Sequence, residues 1–156
     1  MYNFFRNTTQ LTIASAFVMA SSLCNADQTT SEGASLNYVA SDGTLPFSTL
    51  VRAGNLLFLS GALATENNGA PLKSTAAQTA TIMDNIQSTL TQNNSSLNQV
   101  VRCNVILADI QNFSEMNRVY ASYFKEGRFP ARTTFEASNL VAGAKVEIEC
   151  TAYVDA

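Results

Sequence analysis

The chain has 156 residues with nine basic and twelve acidic side chains, a formal net charge of −3, and no histidine. The length favours a single domain. The acidic balance, with no cluster of Lys or Arg, argues against a nucleic-acid partner, because such a surface repels phosphate backbones. Since histidine is the commonest metal ligand and general base, its absence leads us to expect no metal site.

Residues 1–26 have the composition of a signal peptide. Arg6 precedes an apolar run over residues 11–23, and no acidic residue occurs before Asp27, which follows a small residue suited to cleavage. The run is too short for a spanning helix, which needs about 20 residues. We therefore expect export to the periplasm and no membrane contact after cleavage, with a mature net charge of −4 from eight basic and twelve acidic residues. A lipid anchor at Cys24 and an apolar helix retained on the fold are the alternatives.

The mature chain begins with a Ser-, Thr- and Gly-rich lead over residues 27–35, a composition typical of a flexible segment. Residues 47–53 and 56–64 flank a Gly-Asn turn and predict an antiparallel hairpin. Apolar side chains at three- and four-residue steps then predict an amphipathic helix over residues 74–91.

The second half of the chain continues the alternation. Residues 99–107 are rich in β-branched side chains and predict a central strand. Ser114 has the identity of an N-cap for a second helix, and residues 131–137 and 145–154 predict two further strands. The apolar side of the second helix carries Met116, Val119, Tyr120, Tyr123 and Phe124. The order β-β-α-β-α-β-β predicts an α+β layer with both helices on one face of the sheet.

The other face of this predicted sheet has no helix to cover it. Leu57 and Leu59 alternate with Leu56 and Phe58, so both faces of the hairpin are apolar. A sheet that is apolar on both sides needs a second cover. We expect another copy of the chain to supply it, in a closed cyclic oligomer.

Two cysteines, Cys103 and Cys150, remain after signal cleavage. Each belongs to an alternating set that shares one face of its strand: Val101, Cys103, Val105 and Leu107 in one strand, and Val146, Ile148, Cys150 and Ala152 in the other. An exported protein meets an oxidising compartment, which permits a disulfide. Two buried free thiols are an equal alternative, because geometry decides whether a bridge forms.

The segment "RFPARTTFEASNLVAGAKVEIECTAYV", residues 128–154, resembles the C-terminal signature of the RidA/YjgF family, which reads Pro-Ala-Arg-Thr/Ser, a variable stretch and then Glu-Ile-Glu. The resemblance extends over residues 45–154 and identifies residues 36–156 as a RidA-like domain. It implies a chorismate-mutase-like fold, with two helices on one face of a mixed sheet. It also implies a homotrimer whose sheets line a central barrel, with three ligand clefts between subunits.

The resemblance implies cofactor-independent hydrolysis of reactive 2-imino and enamine acids to 2-oxo acids and ammonia. The family's carboxylate-binding arginine corresponds to Arg132, whose guanidinium can meet a carboxylate with two parallel hydrogen bonds. Glu147 follows 15 residues later and takes the role of holding or activating water. Addition of water to C=N has a low barrier, so positioning and proton transfer can suffice. Glu149 is interpreted as a structural or inter-subunit charge.

Further positions carry over from the family's substrate cleft. Ser60 and Gly61 match its Ser-Gly pair, and Asn117 matches an asparagine of its second helix. A helix-start residue bonded to Ser114 is the alternative for Asn117. Tyr120, one turn later, is interpreted as a core residue.

Three departures from the family pattern concern substrate range. Phe47 stands where many deaminating members have Tyr, Thr134 where Cys is frequent, and Ala62 where many have Gln. These departures favour, as the alternative function, a non-catalytic trimer that binds a small carboxylate. The apolar hairpin favours a further alternative function, that of a holdase-like interaction protein. A ribonuclease role is disfavoured by the acidic charge and the expected export.

Overall fold

A computed structural model describes residues 35–41, 43, 45–64 and 74–155. The predicted signal peptide, and all but the last residue of the predicted lead, lie outside these residues. The described chain forms six strands and two α-helices: β1 (Leu36–Ala40), β2 (Ser48–Ala53), β3 (Leu56–Leu59), α1 (Thr75–Gln92), β4 (Val100–Leu107), α2 (Phe113–Ala121), β5 (Ala131–Glu136) and β6 (Val146–Tyr153). In these residues, neither helix is long and apolar enough to cross a membrane.

All six strands belong to one mixed sheet with the order β1-β2-β3-β6-β4-β5. The β4–β5 pair is parallel, and every other neighbouring pair is antiparallel. The predicted α+β fold with two helices on a mixed sheet is confirmed. Strand β1 was not predicted, since the sequence indicated five strands and the described chain has six. Its five residues are almost all exposed, so they lack the alternation that marks a half-buried strand, and pairing with β2 holds them in the sheet.

The core lies between the helices and one face of the sheet. Helix α1 begins after Ser74, whose hydroxyl accepts a hydrogen bond from the amide of Ala77 as an N-cap. The helix buries Ile82, Met83, Ile86 and Leu90 against strand residues that include Leu50, Leu57, Val105 and Ile148. Buried Gln78 reaches the start of β6, where its Oε1 accepts a hydrogen bond from the amide of Lys145 at 2.8 Å. Helix α1 thereby fixes the strand that carries Glu147.

The start of α2 differs from the prediction, since Ser114 is not its N-cap. The helix begins at Phe113 with Asn112 at the cap position. A short 3₁₀ turn over Ile110–Asn112, capped by the Asp109 carboxylate, runs directly into the helix. The chain is therefore already turning when it reaches α2, and the hydroxyl of Ser114 is not needed to start it.

The face of β4 also differs from the prediction at one position. Cys103, Val105 and Leu107 are buried as predicted, but Val101 is 44% exposed. The β4–β6 register shifts between Val100 and Arg102, which places Val100 rather than Val101 on the buried side. The predicted set in β6 is buried throughout.

Cys103 and Cys150 are direct partners in the antiparallel β4–β6 pair, with Cα atoms 4.1 Å apart, and a disulfide joins them in the structure. Both residues are buried beneath the helices. The register thus supplies the geometry that the spacing in the sequence left open.

Candidate functional site

Arg132 lies in β5 on the face of the sheet that carries the helices, because its partner in β4 is the buried residue Cys103. Its guanidinium donates a hydrogen bond to Oδ1 of Asn117 at 2.7 Å. The guanidinium carbon also lies 4.7 Å from the ring centroid of Tyr120 and 5.7 Å from that of Phe113. These contacts orient the cation without neutralising it, since all three partners are uncharged.

The three residues that contact Arg132 come from one side of α2. Phe113, Asn117 and Tyr120 are spaced by four and then three residues, which aligns them along a single helix face. Asn117 therefore contacts Arg132 rather than Ser114, the alternative that the sequence left open. Tyr120 is buried, as predicted for a core residue, yet its ring also forms part of the arginine's environment.

Next to this guanidinium is a cavity of about 270 Å³, which we call the Arg132 cavity. It is lined by Asn117, Tyr120, Ala121, Phe129, Pro130 and Arg132. Burial raises the pKa of Tyr120 to about 12 although the charge of Arg132 opposes the rise, so the phenol stays protonated at neutral pH. Arg132 is then the charged member of the described lining, and the cavity suits a small anion with an apolar part.

Glu147 lies in β6 at a second cavity of about 300 Å³, which we call the Glu147 cavity. Its lining is otherwise uncharged: Leu45, Phe47, Ser60, Gly61, Leu63 and Val141. Burial, and secondarily the charge of Glu149 on the same face, raises the pKa of the Glu147 carboxyl above its usual range. A carboxylate with a raised pKa is a stronger base, which is the property required to take a proton from water.

Gly61 allows the carboxylate of Glu147 to lie against the main chain. A Cβ atom at Gly61 would overlap Oε1 of Glu147 and stand 3.0 Å from its Cδ. The hydroxyl of neighbouring Ser60 donates a hydrogen bond to the carbonyl of Ser48 at 2.6 Å, which ties this segment to β2. Ser60 and Gly61 therefore shape the cavity around Glu147.

The two remaining predicted site residues differ in their settings. Phe47 is 49% exposed and lines the Glu147 cavity. Thr134 shares the face of Arg132 in β5, but it does not line the Arg132 cavity. Its Oγ1 is buried and has no hydrogen-bond partner among the described residues.

Arg132 and Glu147 are on opposite faces of the sheet within one chain. Arg132 is level with Cys103 of β4, whereas Glu147 is level with Ile106, three residues along the same strand. An odd separation puts side chains on opposite sides, and two strand spacings of about 4.8 Å separate β5 from β6. One chain therefore does not bring these two residues to a common small ligand.

Several lining residues were not found from the sequence. Leu45 lies in an irregular segment and Val141 begins a short 3₁₀ turn, so no hydrophobic periodicity marked them. Leu63 was placed in the second strand of the predicted hairpin, but β3 ends at Leu59. Phe129 precedes the Pro-Ala-Arg motif and could have been noticed as its neighbour. The described residues contain no group of three His, Cys, Asp or Glu side chains that could hold a metal ion.

Comparisons with known proteins agree with this fold. A family model described as Endoribonuclease L-PSP matches residues 39–154. The chain is 38% identical over 110 residues to a RutC family protein of Pyrococcus horikoshii, covering 69% of this chain and 86% of that one. It is 36% identical over 109 residues to the chloroplastic Reactive Intermediate Deaminase A of Arabidopsis thaliana, covering 69% of this chain and 58% of that one.

A solved structure gives the same result. The crystal structure of a YjgF family member from Neisseria meningitidis matches with a TM-score of 0.70 and 29% identity, covering 80% of this chain and 98% of that chain. The chain belongs to the YjgF/RidA family. The resemblance read from residues 128–154 is thus confirmed, and so is the fold that it implied. As a YjgF/RidA protein, this chain has relatives that include a named reactive-intermediate deaminase.

Proposed function

We propose that the protein hydrolyses reactive 2-imino and enamine acids to 2-oxo acids and ammonia. The observation that carries the proposal is the setting of Arg132, a cation held at the wall of a cavity by three uncharged side chains. Such a guanidinium favours an anionic ligand, and its planar fork fits a carboxylate. The family relationship to a reactive-intermediate deaminase supplies the reaction class.

In the proposed reaction Arg132 binds the substrate carboxylate and so fixes the position of the C=N carbon. Glu147 accepts a proton from a water molecule as the water oxygen bonds to that carbon, and it passes this proton to the substrate nitrogen. In the resulting tetrahedral adduct Glu147 takes the proton of the hydroxyl group as the C=O bond forms, and passes it to the nitrogen, which leaves as ammonia. Enamine substrates first take up a proton at carbon to give the imine. Positioning and proton transfer supply the rate enhancement, without a cofactor.

The proposed assembly is a homotrimer with its sites between subunits. Because Arg132 and Glu147 lie on opposite faces of one sheet, a shared substrate requires Arg132 from one copy and Glu147 from another. The exposed apolar side chains on the sheet face opposite the helices support such an assembly, since a second copy would bury them. Leu36, Tyr38, Leu56, Phe58 and Tyr153 are among them.

The proposed location is the periplasm, supported by the composition of residues 1–26. Mass spectrometry of the protein recovered from a periplasmic extract tests this. A mature chain that starts near Asp27 is expected. Recovery of the intact N-terminus from the cytoplasmic fraction alone would refute export.

The activity is tested with an imine generated in place by an amino-acid oxidase from a neutral amino acid. The wild type is expected to release the 2-oxo acid faster than the uncatalysed rate, and Arg132→Ala to lose roughly 10- to 100-fold in kcat/KM, as for a lost charge-assisted hydrogen bond. Arg128→Ala is the matched control, because Arg128 is an exposed arginine outside both cavities. A folded wild type without any acceleration would refute the deaminase proposal.

The second candidate is a trimer that binds a small carboxylate without turning it over. It is favoured by Phe47, which lines the Glu147 cavity but has no hydroxyl to bond a ligand. Calorimetry with 2-oxobutanoate, read together with the imine assay, separates the candidates. Binding of 2-oxobutanoate that is lost in Arg132→Ala, by a protein that does not accelerate imine hydrolysis, supports the second candidate. Nuclease activity is disfavoured, because a formal charge of −3 repels a phosphate backbone.

A further inference from the structure

The Arg132 cavity places a cation beside a wall that is mainly aromatic and aliphatic. Apart from Arg132 and Asn117, the described residues that line it are Tyr120, Ala121, Phe129 and Pro130. A ligand that binds the guanidinium through a carboxylate therefore has apolar surface next to it for the rest of the molecule.

Phe129 is the uncovered part of this wall. It is 52% exposed, although it is a large apolar residue, and it directly precedes residues 130–132 of the signature. Tyr120, by contrast, is buried, and its ring lies against the guanidinium of Arg132. Within the described lining, the ring of Phe129 is thus the aromatic surface that a ligand can cover.

The chemistry of the proposed substrate connects this wall to the reacting carbon. In a 2-imino acid the carboxylate carbon is bonded directly to the C=N carbon, and the side chain is attached to that same C=N carbon. A carboxylate on Arg132 therefore brings the side chain to the cavity that Arg132 itself lines. The Glu147 cavity plays no part in this contact, since a neighbouring copy supplies Glu147 in the proposed trimer.

The size of the Arg132 cavity fits an aromatic side chain. Its volume is about 270 Å³, and a cavity of about 150 Å³ is enough to hold benzene. The remaining volume accommodates the carboxylate and the C=N carbon. Contact between two aromatic rings adds to the free energy gained by burying apolar area. The wall therefore favours a ring over an aliphatic chain of similar length.

We propose that the Arg132 cavity binds the substrate's side chain as well as its carboxylate, and that Phe129 makes the protein selective for 2-imino acids with aromatic side chains. The inference rests on the proposed function for the carboxylate bound to Arg132. It goes beyond that function by naming the substrate class and the residue that selects it. A second carboxylate in the side chain would lie against apolar residues without a cation of its own, so acidic substrates are disfavoured.

The first test measures binding, so that it does not depend on turnover. The purified protein is titrated by calorimetry with four 2-oxo acids, the products of the proposed reaction: 3-phenyl-2-oxopropanoate, 4-methyl-2-oxopentanoate, pyruvate and 2-oxoglutarate. The aromatic acid is expected to bind at least about 10-fold more tightly than pyruvate and about 3-fold more tightly than the branched aliphatic acid. An aromatic acid that binds no more tightly than the aliphatic one, or no binding of any of the four at millimolar concentration, would overturn the inference.

The second test removes the ring of Phe129. Phe129→Leu is expected to bring the affinities for the aromatic and the branched aliphatic acid to within about 2-fold of each other, and to leave the affinity for pyruvate nearly unchanged. Phe135→Leu is the matched control, because Phe135 is also exposed but lies an odd number of residues from Arg132 in β5 and so on the opposite face of the sheet. An unchanged preference in folded Phe129→Leu would refute the assignment, as it would if a neighbouring copy rather than the ligand covers Phe129.

A third variant fills the cavity from the helix and leaves the ring of Phe129 in place. Ala121→Leu adds bulk at the end of α2 with a residue that favours helices. It is expected to weaken binding of the aromatic acid by about 5-fold or more while pyruvate still binds, because the smaller acid needs little of the cavity. This variant decides the question if Phe129→Leu does not fold. Undiminished binding of the aromatic acid would then refute the assignment.

Turnover assays separate failure of the inference from failure of the proposed function. Imines generated from phenylalanine, leucine and alanine are compared by kcat/KM, and the phenylalanine-derived imine is expected to be the best substrate. Selective binding of the aromatic 2-oxo acid without acceleration of any imine would reject the deaminase proposal and leave the role of Phe129 standing. Acceleration of all three imines to the same extent would reject the role of Phe129 and leave the deaminase proposal standing.

Discussion

Glu147 combines partial burial with a neighbouring like charge, and both raise the pKa of its carboxyl group. Protonation is thus easier in the folded chain than in the unfolded chain. The stability that Glu147 contributes is present at pH values below its unfolded pKa and is lost as the pH rises through its raised folded pKa. At neutral pH the charged carboxylate is therefore an energetic cost to the fold, in keeping with its proposed role as a base.

Replacing this carboxylate should separate activity from stability. We expect Glu147→Gln to lower kcat by about 100-fold or more, as for the loss of a general base. The variant should unfold at the same temperature as the wild type or higher at pH 7, with the difference shrinking at acidic pH. The wild-type activity should fall on the acid side with an apparent pKa above the usual glutamate value. A clear drop in the unfolding temperature at pH 7 would contradict this account.

Gly61 offers a test of how the carboxylate of Glu147 is positioned. In Gly61→Ala, the new methyl group must push this carboxylate away, and we expect kcat/KM to fall roughly 10-fold or more, because small misplacements at a reacting centre are costly. Gly43→Ala is the control, since a Cβ atom there would lie 4.0 Å from the amide nitrogen of Leu45, which is ordinary van der Waals contact.

The effect of Gly61→Ala should act through Glu147. The double variant with Glu147→Gln is therefore expected to be no less active than Glu147→Gln alone, as a double-mutant cycle would show for two residues in contact. Independent losses that add together would show that Gly61 acts elsewhere.

At the scale of helices and strands, the sequence predicted correctly those elements whose apolar side chains recur at regular spacing. Helix α1 and the buried face of β6 follow strict patterns, and the structure confirms both. Val101 was assigned to the wrong face because a register shift in β4 interrupts the alternation, and alternation alone cannot reveal such a shift. The arginine and glutamate were found through a sequence signature, whereas Leu63 follows the end of β3 and Val141 begins a 3₁₀ turn, and only the fold brings these two residues together.

A disulfide between Cys103 and Cys150 joins strands β4 and β6, and its contribution to stability can be tested. The disulfide joins residues 47 positions apart in the sequence, so it restricts the unfolded chain considerably. We expect Cys103→Ala combined with Cys150→Ala to lower the free energy of unfolding by about 2–4 kcal/mol. A reductant should lower the unfolding temperature of the wild type and leave that of the double variant unchanged. An identical response of both proteins would show that the bridge does not form in solution.

At the scale of the whole molecule, Arg132 and Glu147 lie on opposite faces of the sheet. Asn117 and Tyr120 position Arg132 on the helix side, and Gly61 accommodates Glu147 at the other cavity. The sequence predicted an uncovered sheet face but could not show that the two residues of its signature occupy opposite sides. That fact follows from the register of β5 and β6 with β4.

Mixing two inactive variants tests whether neighbouring copies complete the site. Arg132→Ala and Glu147→Gln each lack one residue of the proposed site, and co-expression should produce mixed trimers. If each site takes Arg132 from one subunit and Glu147 from its neighbour, random mixing restores about a quarter of the sites in a cyclic assembly. The specific activity of the mixture is therefore expected to reach about a quarter of the wild-type value, far above either variant alone. No recovery in verified mixed trimers would mean that both residues act within one chain, against the register of this sheet.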